Sequence, residues 1–144
     1  MTKRRKARIE RVGELRSAGW QLDYASDLNK FHFHNGYETP KHALVKLLLC
    51  KRIKDAGHAF ATEISHPERG SVDVLDIHES GPAAYVYEVE TDANAERRRE
   101  KARLYTDGFT AAEITDVFVI DPLEAPDLPA ECETWLEDEV VGGE

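Results

Sequence analysis

The sequence contains two cysteines, one methionine and no long apolar run, and it has no lysine or arginine after Arg103. Cys50 and Cys132 form no CxxC pattern, which argues against a disulfide framework and against a thiolate zinc site. The longest apolar run, ALVKLLLC, is short and is interrupted by Lys46, so no membrane span is predicted. No apolar segment follows the basic start MTKRRKARIER, and we therefore expect no secretory signal and a cytoplasmic location.

Length and composition favour one folded domain. A chain of 144 residues that is 41% hydrophobic is long enough to bury a core. Its pattern divides it into a basic helix with a connector at 1–38, a core at 39–121, and an acidic tail or helix at 122–144.

The two halves of the chain carry opposite charge. Residues 1–57 contain 13 Lys and Arg against 6 Asp and Glu, whereas the remaining 87 residues contain 6 against 22. An acidic surface with few lysines resembles adaptation to high salt, as in halophilic archaea and their viruses, and a solubilising acidic tail is the alternative. The negative total does not exclude a nucleic-acid partner, because molar salt screens the repulsion over a few ångströms.

The first part of the chain has helical periodicity. Residues 3–18 place Ile9, Val12, Leu15 and Ala18 on one stripe, which predicts an N-terminal basic helix that Gly19 ends. Thr39 is a suitable N-cap, and Pro40 suits the first helical position. A second helix is therefore expected to begin at Pro40 and to end at Gly57. Between the two helices, the alternating FHFH is typical of a short strand.

From Gly57 onward the period becomes that of strands. Three antiparallel strands are predicted at 58–65, 71–77 and 83–90, joined by the turn-rich HPERG and HESGP. A helix is expected to begin at Asp92. The segment ITDVFVID is then predicted to form a buried strand, and LPAECETWLEDEVV to form an amphipathic helix.

Acidic residues interrupt the apolar strands. Asp73 lies in SVDVLDI, and Glu88 and Glu90 lie in YVYEVET on one predicted face with Val86. Asp73 is expected to share a face with Leu75 and Ile77, and Asp76 to share the opposite face with Val72 and Val74, so only one aspartate can join the glutamates. We favour Asp73 and keep Asp76 as the alternative. Three neighbouring carboxylates raise one another's pKa unless a cation such as Mg²⁺ lies among them.

The order helix, three strands, helix, strand over residues 39–121 resembles the core of the PD-(D/E)XK nuclease superfamily. That resemblance implies an α/β, restriction-endonuclease-like fold with an added N-terminal basic helix, and a divalent metal, Mg²⁺ or Mn²⁺, bound by the acids. The segment ETPKHALVKLLL is similar to the H-x-x-x-K start of the competence-protein-like branch, which assigns His42 and Lys46. Glu63 in ATEI stands where several members carry a further acid.

One position departs from the family's pattern. The usual lysine two residues after the motif glutamate is replaced by Glu90, as in some restriction enzymes. Lys101 on the next predicted helix is the candidate substitute, with Lys46 behind it. The expected phosphate contacts are Arg97, Arg98, Arg99 and Arg103 on that helix, together with Lys46. The alternative is that this helix is a solvated face whose arginines pair with Glu96 and Glu100.

Each feature also has a simpler interpretation. Acids that alternate with apolar residues often form the solvent face of an edge hairpin, and His32, His34 and His42 can be surface residues.

Two functions follow from the resemblance. The first is a metal-dependent nuclease acting on DNA. The second is a catalytically inactive nuclease-fold protein of a virus or mobile element that binds nucleic acid or is structural. RNA as a partner and a homodimer are left open.

Overall fold

The computed structural model describes residues 3–17, 19–22, 28–32, 39–68, 70–77, 84–90, 96, 99–100 and 114–141. The elements in these ranges are α1 (Lys3–Ser17), α2 (Pro40–Asp55), β1 (Ala59–His66), β2 (Gly70–Ile77), β3 (Ala84–Val89), β4 (Ile114–Ile120), a short 3₁₀ helix (Pro122–Glu124) and α3 (Pro129–Val141). Most of the helix expected from Asp92 lies outside the described residues.

The four strands form one mixed sheet in the order β1-β2-β3-β4. β1 pairs with β2 and β2 with β3 in antiparallel fashion, while β4 lies parallel to β3. The predicted α/β class, the three-stranded meander and the later strand at ITDVFVID are thereby confirmed. The finer assignment to a restriction-endonuclease-like core stays a prediction.

Helix α2 begins and ends where the sequence signals predict. The Thr39 hydroxyl accepts a hydrogen bond from the His42 amide at 3.1 Å, and Pro40 occupies the first helical position, where no amide donor is needed. After the last turn, Gly57 takes a positive φ of 83°, a backbone conformation that residues with a Cβ rarely adopt.

Helices cover both faces of the sheet. Val12 and Leu15 of α1 belong to one apolar cluster with sheet residues that include Leu75. Ile9, on the same predicted stripe, is largely exposed. A second cluster joins α2, α3 and the other side of the sheet, and its members include Val45, Leu49, Ile53, Val74, Tyr87, Ile120, Cys132 and Leu136. Because each face packs against helices, the sheet forms the middle layer.

The connector between α1 and α2 is irregular where it is described. Gln21 makes a single bridge to Ser65, and Trp20 packs edge-on against His66 with ring centroids 5.1 Å apart. The short strand predicted at FHFH is not formed at Phe31 and His32, because the His32 amide donates to the Thr62 hydroxyl instead of to a strand backbone. The second half of that motif lies outside the described residues.

The part of the chain that the structure describes contains no helix with both the length and the apolar character needed to cross a membrane.

Candidate functional site

Two acidic side chains meet at the point where β2 and β3 separate. Backbone pairing between these strands ends at Val74 and Tyr87, so the next pair in the same register is Asp73 and Glu88. Here the side chains replace the ladder: the Val89 amide donates to Asp73 Oδ2 at 2.7 Å, and the Asp73 amide donates to Glu88 Oε2 at 3.2 Å. The sheet therefore holds both carboxyl groups in fixed positions.

Both acids are buried, at 8% exposure for Asp73 and 3% for Glu88. His42 of α2 lies beside them, with its Nε2 atom 3.8 Å from Asp73 Oδ2. Burial raises the pKa of Asp73, but the combined effect of His42, of Glu88 and of the Val89 amide outweighs it, and the pKa lies below its ordinary value. Asp73 is therefore ionised at neutral pH.

Glu63 of β1 lies across from Asp73 on its other side. The β1–β2 pairing passes from Thr62 and Val74 to Ile64 and Val72, which leaves Glu63 and Asp73 opposite each other. Glu63 has a φ of 51°, in the left-handed region that an ordinary side chain seldom occupies. This local change of backbone direction turns the sheet at the level of the two acids.

The same irregularity corrects the predicted faces of β2. Val72 was expected to share a face with Val74, but Val72 belongs to the apolar cluster of Leu75 and Ile77, whereas Val74 belongs to the other cluster. Strict alternation fails because the unusual backbone of Glu63, opposite Asp73, interrupts the pleat.

Lys46 of α2 pairs with Glu63 inside the protein. Its ammonium group lies 2.8 Å from Glu63 Oε1, also donates to the His32 carbonyl, and lies 4.9 Å from the centre of the Phe31 ring. Lys46 is 0% exposed, so the phosphate contact predicted for it is replaced in this structure by an interior ion pair. The carboxyl group of Glu63 is thereby held by Lys46.

Of the predicted metal ligands, Asp73 and Glu88 are brought together. Glu90 is half-buried and follows β3, and its amide donates to the Ile120 carbonyl at 2.9 Å. Across the described ranges, no group of three or more His, Cys, Asp or Glu side chains is arranged to hold a metal ion. The donor chemistry of the Asp73 and Glu88 pair nevertheless fits Mg²⁺, which usually takes one or two carboxylates and completes its shell with water.

The predicted cationic residues after β3 are largely untested. Lys101, Arg97, Arg98 and Arg103 lie outside the described residues. Arg99 is exposed and helical, as are Glu96 and Glu100. This agrees equally with a phosphate-binding helix and with a solvated one.

Asp76, the alternative aspartate, occupies a separate place three residues further along β2. Its Oδ1 atom lies 3.0 Å from His58 Nδ1, and it is 5% exposed. Burial raises the pKa of Asp76 to about 6, against the opposing effect of His58. Sequence reasoning missed His58. The available signal is strand register: Phe60 pairs with Asp76, and His58, two residues before Phe60, is then a diagonal neighbour of Asp76.

In comparisons with known proteins, no family model, no curated protein and no solved structure matches this chain.

Proposed function

We propose that the protein is a nuclease that hydrolyses phosphodiester bonds of DNA, with Mg²⁺ or Mn²⁺ held by Asp73 and Glu88. One observation carries the proposal: two buried carboxyl groups face each other where β2 and β3 separate. Two carboxylates this close repel each other, so at neutral pH they need a shared proton or a cation between them. A divalent cation meets that need and supplies a reason for the burial.

Such a cation, when bound, polarises a scissile phosphate and lowers the pKa of a water molecule. The chain's own residues do the remaining work. Backbone amides orient the two carboxylates, and His42 Nε2 is placed to hold a proton beside Asp73. In the same proposal, Lys101 stands in for the lysine that Glu90 replaces. The residues proposed to contact phosphate groups are Arg97, Arg98, Arg99 and Arg103.

A second function is favoured by a different observation. Asp73 and Glu88 each accept a backbone amide, so their positions are already explained by completion of the sheet. Together with the replaced lysine at Glu90, this supports a nuclease-fold protein without chemistry that binds nucleic acid or is structural, in a virus or mobile element. Either function carries with it the proposed cytoplasmic location.

The metal is tested by thermal unfolding at constant ionic strength. Mg²⁺ or Mn²⁺ should raise the melting temperature, because a ligand that binds only the native state adds about 2.7 kcal/mol at a hundredfold excess over its Kd. Glu88→Gln should remove this gain. Asp127→Asn, which changes an exposed acid paired with Lys41 at 2.6 Å, is the control and should keep it.

Hydrolysis is tested with plasmid, linear duplex, single-stranded and branched DNA, and with RNA, at low and at molar salt. The parent should cleave DNA with Mg²⁺, and Asp73→Asn should remove cleavage while DNA binding stays equal or becomes tighter, because one negative charge near the phosphate is gone. Metal binding without cleavage of any substrate would instead establish the inactive protein. Light scattering on the same samples tests for a homodimer.

A further inference from the structure

A cavity of about 430 Å³ lies at the other end of the contact between α2 and β2. The C-terminal turn of α2, strands β2 and β3, and helix α3 surround it. Its volume is within the range of small-molecule sites. Asp76 lines this cavity, and three residues of strand separate it from Asp73, or about 10 Å. The cavity is therefore distinct from the carboxylate pair proposed to hold a metal.

His58 and Asp76 both line the cavity, and they are in contact, with His58 Nδ1 3.0 Å from Asp76 Oδ1. The strand ladder runs unbroken through Asp76, which pairs with Phe60 on one side and with Tyr85 on the other. The sheet thus does not need the Asp76 carboxylate to replace a backbone bond, in contrast to Asp73. A carboxylate buried at such a place loses hydration, and a hydrogen-bond donor of a ligand would restore part of what is lost.

Two tyrosines supply flat walls. Tyr85 and Tyr87 both line the cavity. Phe118 of β4 stacks on Tyr87, with ring centroids 5.2 Å apart and 16° between the ring planes, and it lies 6.2 Å from the ring of Tyr85. Tyr87 is almost fully buried at 3% exposure, whereas Tyr85 is half-buried, so the Tyr85 ring offers the aromatic surface and favours a planar ligand.

The charges at the rim are mostly balanced by ion pairs within the protein. Lys51 lies 2.9 Å from Asp55 and 2.8 Å from Glu133, and Arg52 lies 3.3 Å from Glu137. The rim therefore presents acids that are already paired with cations. Such a rim offers little attraction to a phosphate group and favours a ligand that enters as an uncharged ring.

We propose that this cavity binds a planar heterocycle bearing an amino group, the chemistry of an amino-substituted nucleobase. Asp76 accepts a hydrogen bond from the amino group, a contact of the kind by which carboxylates read base edges, and a tyrosine ring packs against the heterocycle. The ring arrives either as a free nucleoside or as an unstacked base of a nucleic acid. The proposal does not depend on metal binding or on hydrolysis.

The probes are adenosine, cytidine and uridine, titrated into the full-length protein by calorimetry at pH 7.5. Adenosine and cytidine carry the amino group and should bind at least tenfold more tightly than uridine, which lacks it. Asp76→Asn should weaken adenosine binding about tenfold or more, as for loss of a hydrogen bond to a charged group. Tyr85→Leu should weaken it about tenfold through lost stacking. The control Asp127→Asn changes an exposed acid that does not line the cavity and should bind like the parent.

Competition by a short single-stranded oligonucleotide then distinguishes the two sources of the ring. If the oligonucleotide displaces adenosine, the proposal is supported and the ligand is a base of a nucleic acid. If adenosine binds and is not displaced, the proposal is supported and the ligand is a free nucleoside. Circular dichroism establishes that each variant is folded, and Tyr85→Leu tests the cavity should Asp76→Asn fail to fold. The proposal is overturned if no nucleoside binds at millimolar concentration. It is also overturned if folded Asp76→Asn or Tyr85→Leu binds adenosine as tightly as the parent.

Discussion

Two histidine–aspartate pairs lie along the same contact between α2 and β2, and they differ in what the aspartate does. At the first pair, near the start of α2, His42 faces Asp73, and the Asp73 carboxylate accepts a backbone amide in place of a missing ladder bond. At the second pair, just past the end of α2, His58 meets Asp76 where the ladder is intact and a cavity opens.

Because the two acids are similarly buried, the opposite shifts of their pKa values follow from the different hydrogen bonds that each carboxylate receives. Asp73 and Asp76 are similarly buried, yet the pKa of Asp73 is lowered and that of Asp76 is raised to about 6. Desolvation raises both. Asp73 receives, besides its histidine, the Val89 amide and Glu88, and these additional bonds reverse the direction of the shift.

The largest expected effect concerns the ion pair next to the first aspartate. Lys46→Met should destabilise the protein by about 3–5 kcal/mol, because it leaves the Glu63 carboxylate without its buried ammonium partner. Urea unfolding at pH 7 measures the change. The matched control is Lys41→Met on the same helix, whose pair with the fully exposed Asp127 should contribute far less.

Equal destabilisation by the two lysine variants would contradict this assignment, because it would mean that burial adds nothing to the Lys46 pair. Adding Glu63→Gln to Lys46→Met should recover part of the lost stability, since the uncompensated charge is then removed.

The second prediction uses pH to separate the two aspartates. The folded-state pKa of Asp76 is raised from 3.8 to about 6, so its stabilising contribution is complete below the unfolded-state pKa and is lost as the pH rises through 6. Between pH 4 and pH 7 the parent should therefore lose roughly 2 kcal/mol relative to Asp76→Asn, which is most of what the full shift represents at about 1.4 kcal/mol per pKa unit. Urea unfolding at a series of pH values gives the curve.

Asp73 should show the opposite sign. Its pKa is lowered, so its contribution is present above the unfolded-state pKa and is lost as the pH falls through the folded-state pKa. The parent should thus lose stability relative to Asp73→Asn on acidification. If the stability difference between parent and variant changed with pH in the same direction for both aspartates, the opposite shifts of their pKa values would be refuted.

The sequence predicts the helices and strands well because their signals are local. Thr39 and Pro40 mark the start of α2 by their own chemistry, and alternation in SVDVLDI and YVYEVET indicates strands. The proximity of Asp73 and Glu88 also follows once the two strands are taken as a hairpin. Predicting these features requires only residues that are close in the sequence or that are joined by a single turn.

The partners of the remaining polar residues could not be predicted, because they depend on the details of strand register. Glutamate gives no local signal for a positive φ, so the position of Glu63 and its pairing with Lys46 were not foreseen. The contact of His58 with Asp76 likewise requires the β1–β2 register, and neither residue alone indicates it.

The third prediction tests whether the Asp73 carboxylate completes the sheet. Asp73→Ala should cost about 1–3 kcal/mol, because the buried Val89 amide loses its acceptor, whereas Asp73→Asn retains an oxygen that can accept and should cost less. Amide hydrogen exchange at Val89 should accelerate in the alanine variant. Unchanged exchange in that variant would show that the carboxylate is not needed by the backbone.

The smallest expected effect concerns the rim of the cavity at the second pair. Arg52 and Glu137 lie 3.3 Å apart, with Arg52 partly exposed and Glu137 exposed, so Arg52→Gln combined with Glu137→Gln should cost little more than either single change. The interaction measured by this double-mutant cycle should be about 0.2–1 kcal/mol, as for other exposed pairs, and should shrink in molar salt. For the interior ion pair of Lys46 and Glu63, the same salt should change stability far less. A rim pair that is as strong and as insensitive to salt as the buried one would remove the distinction between an open cavity and a closed polar interior.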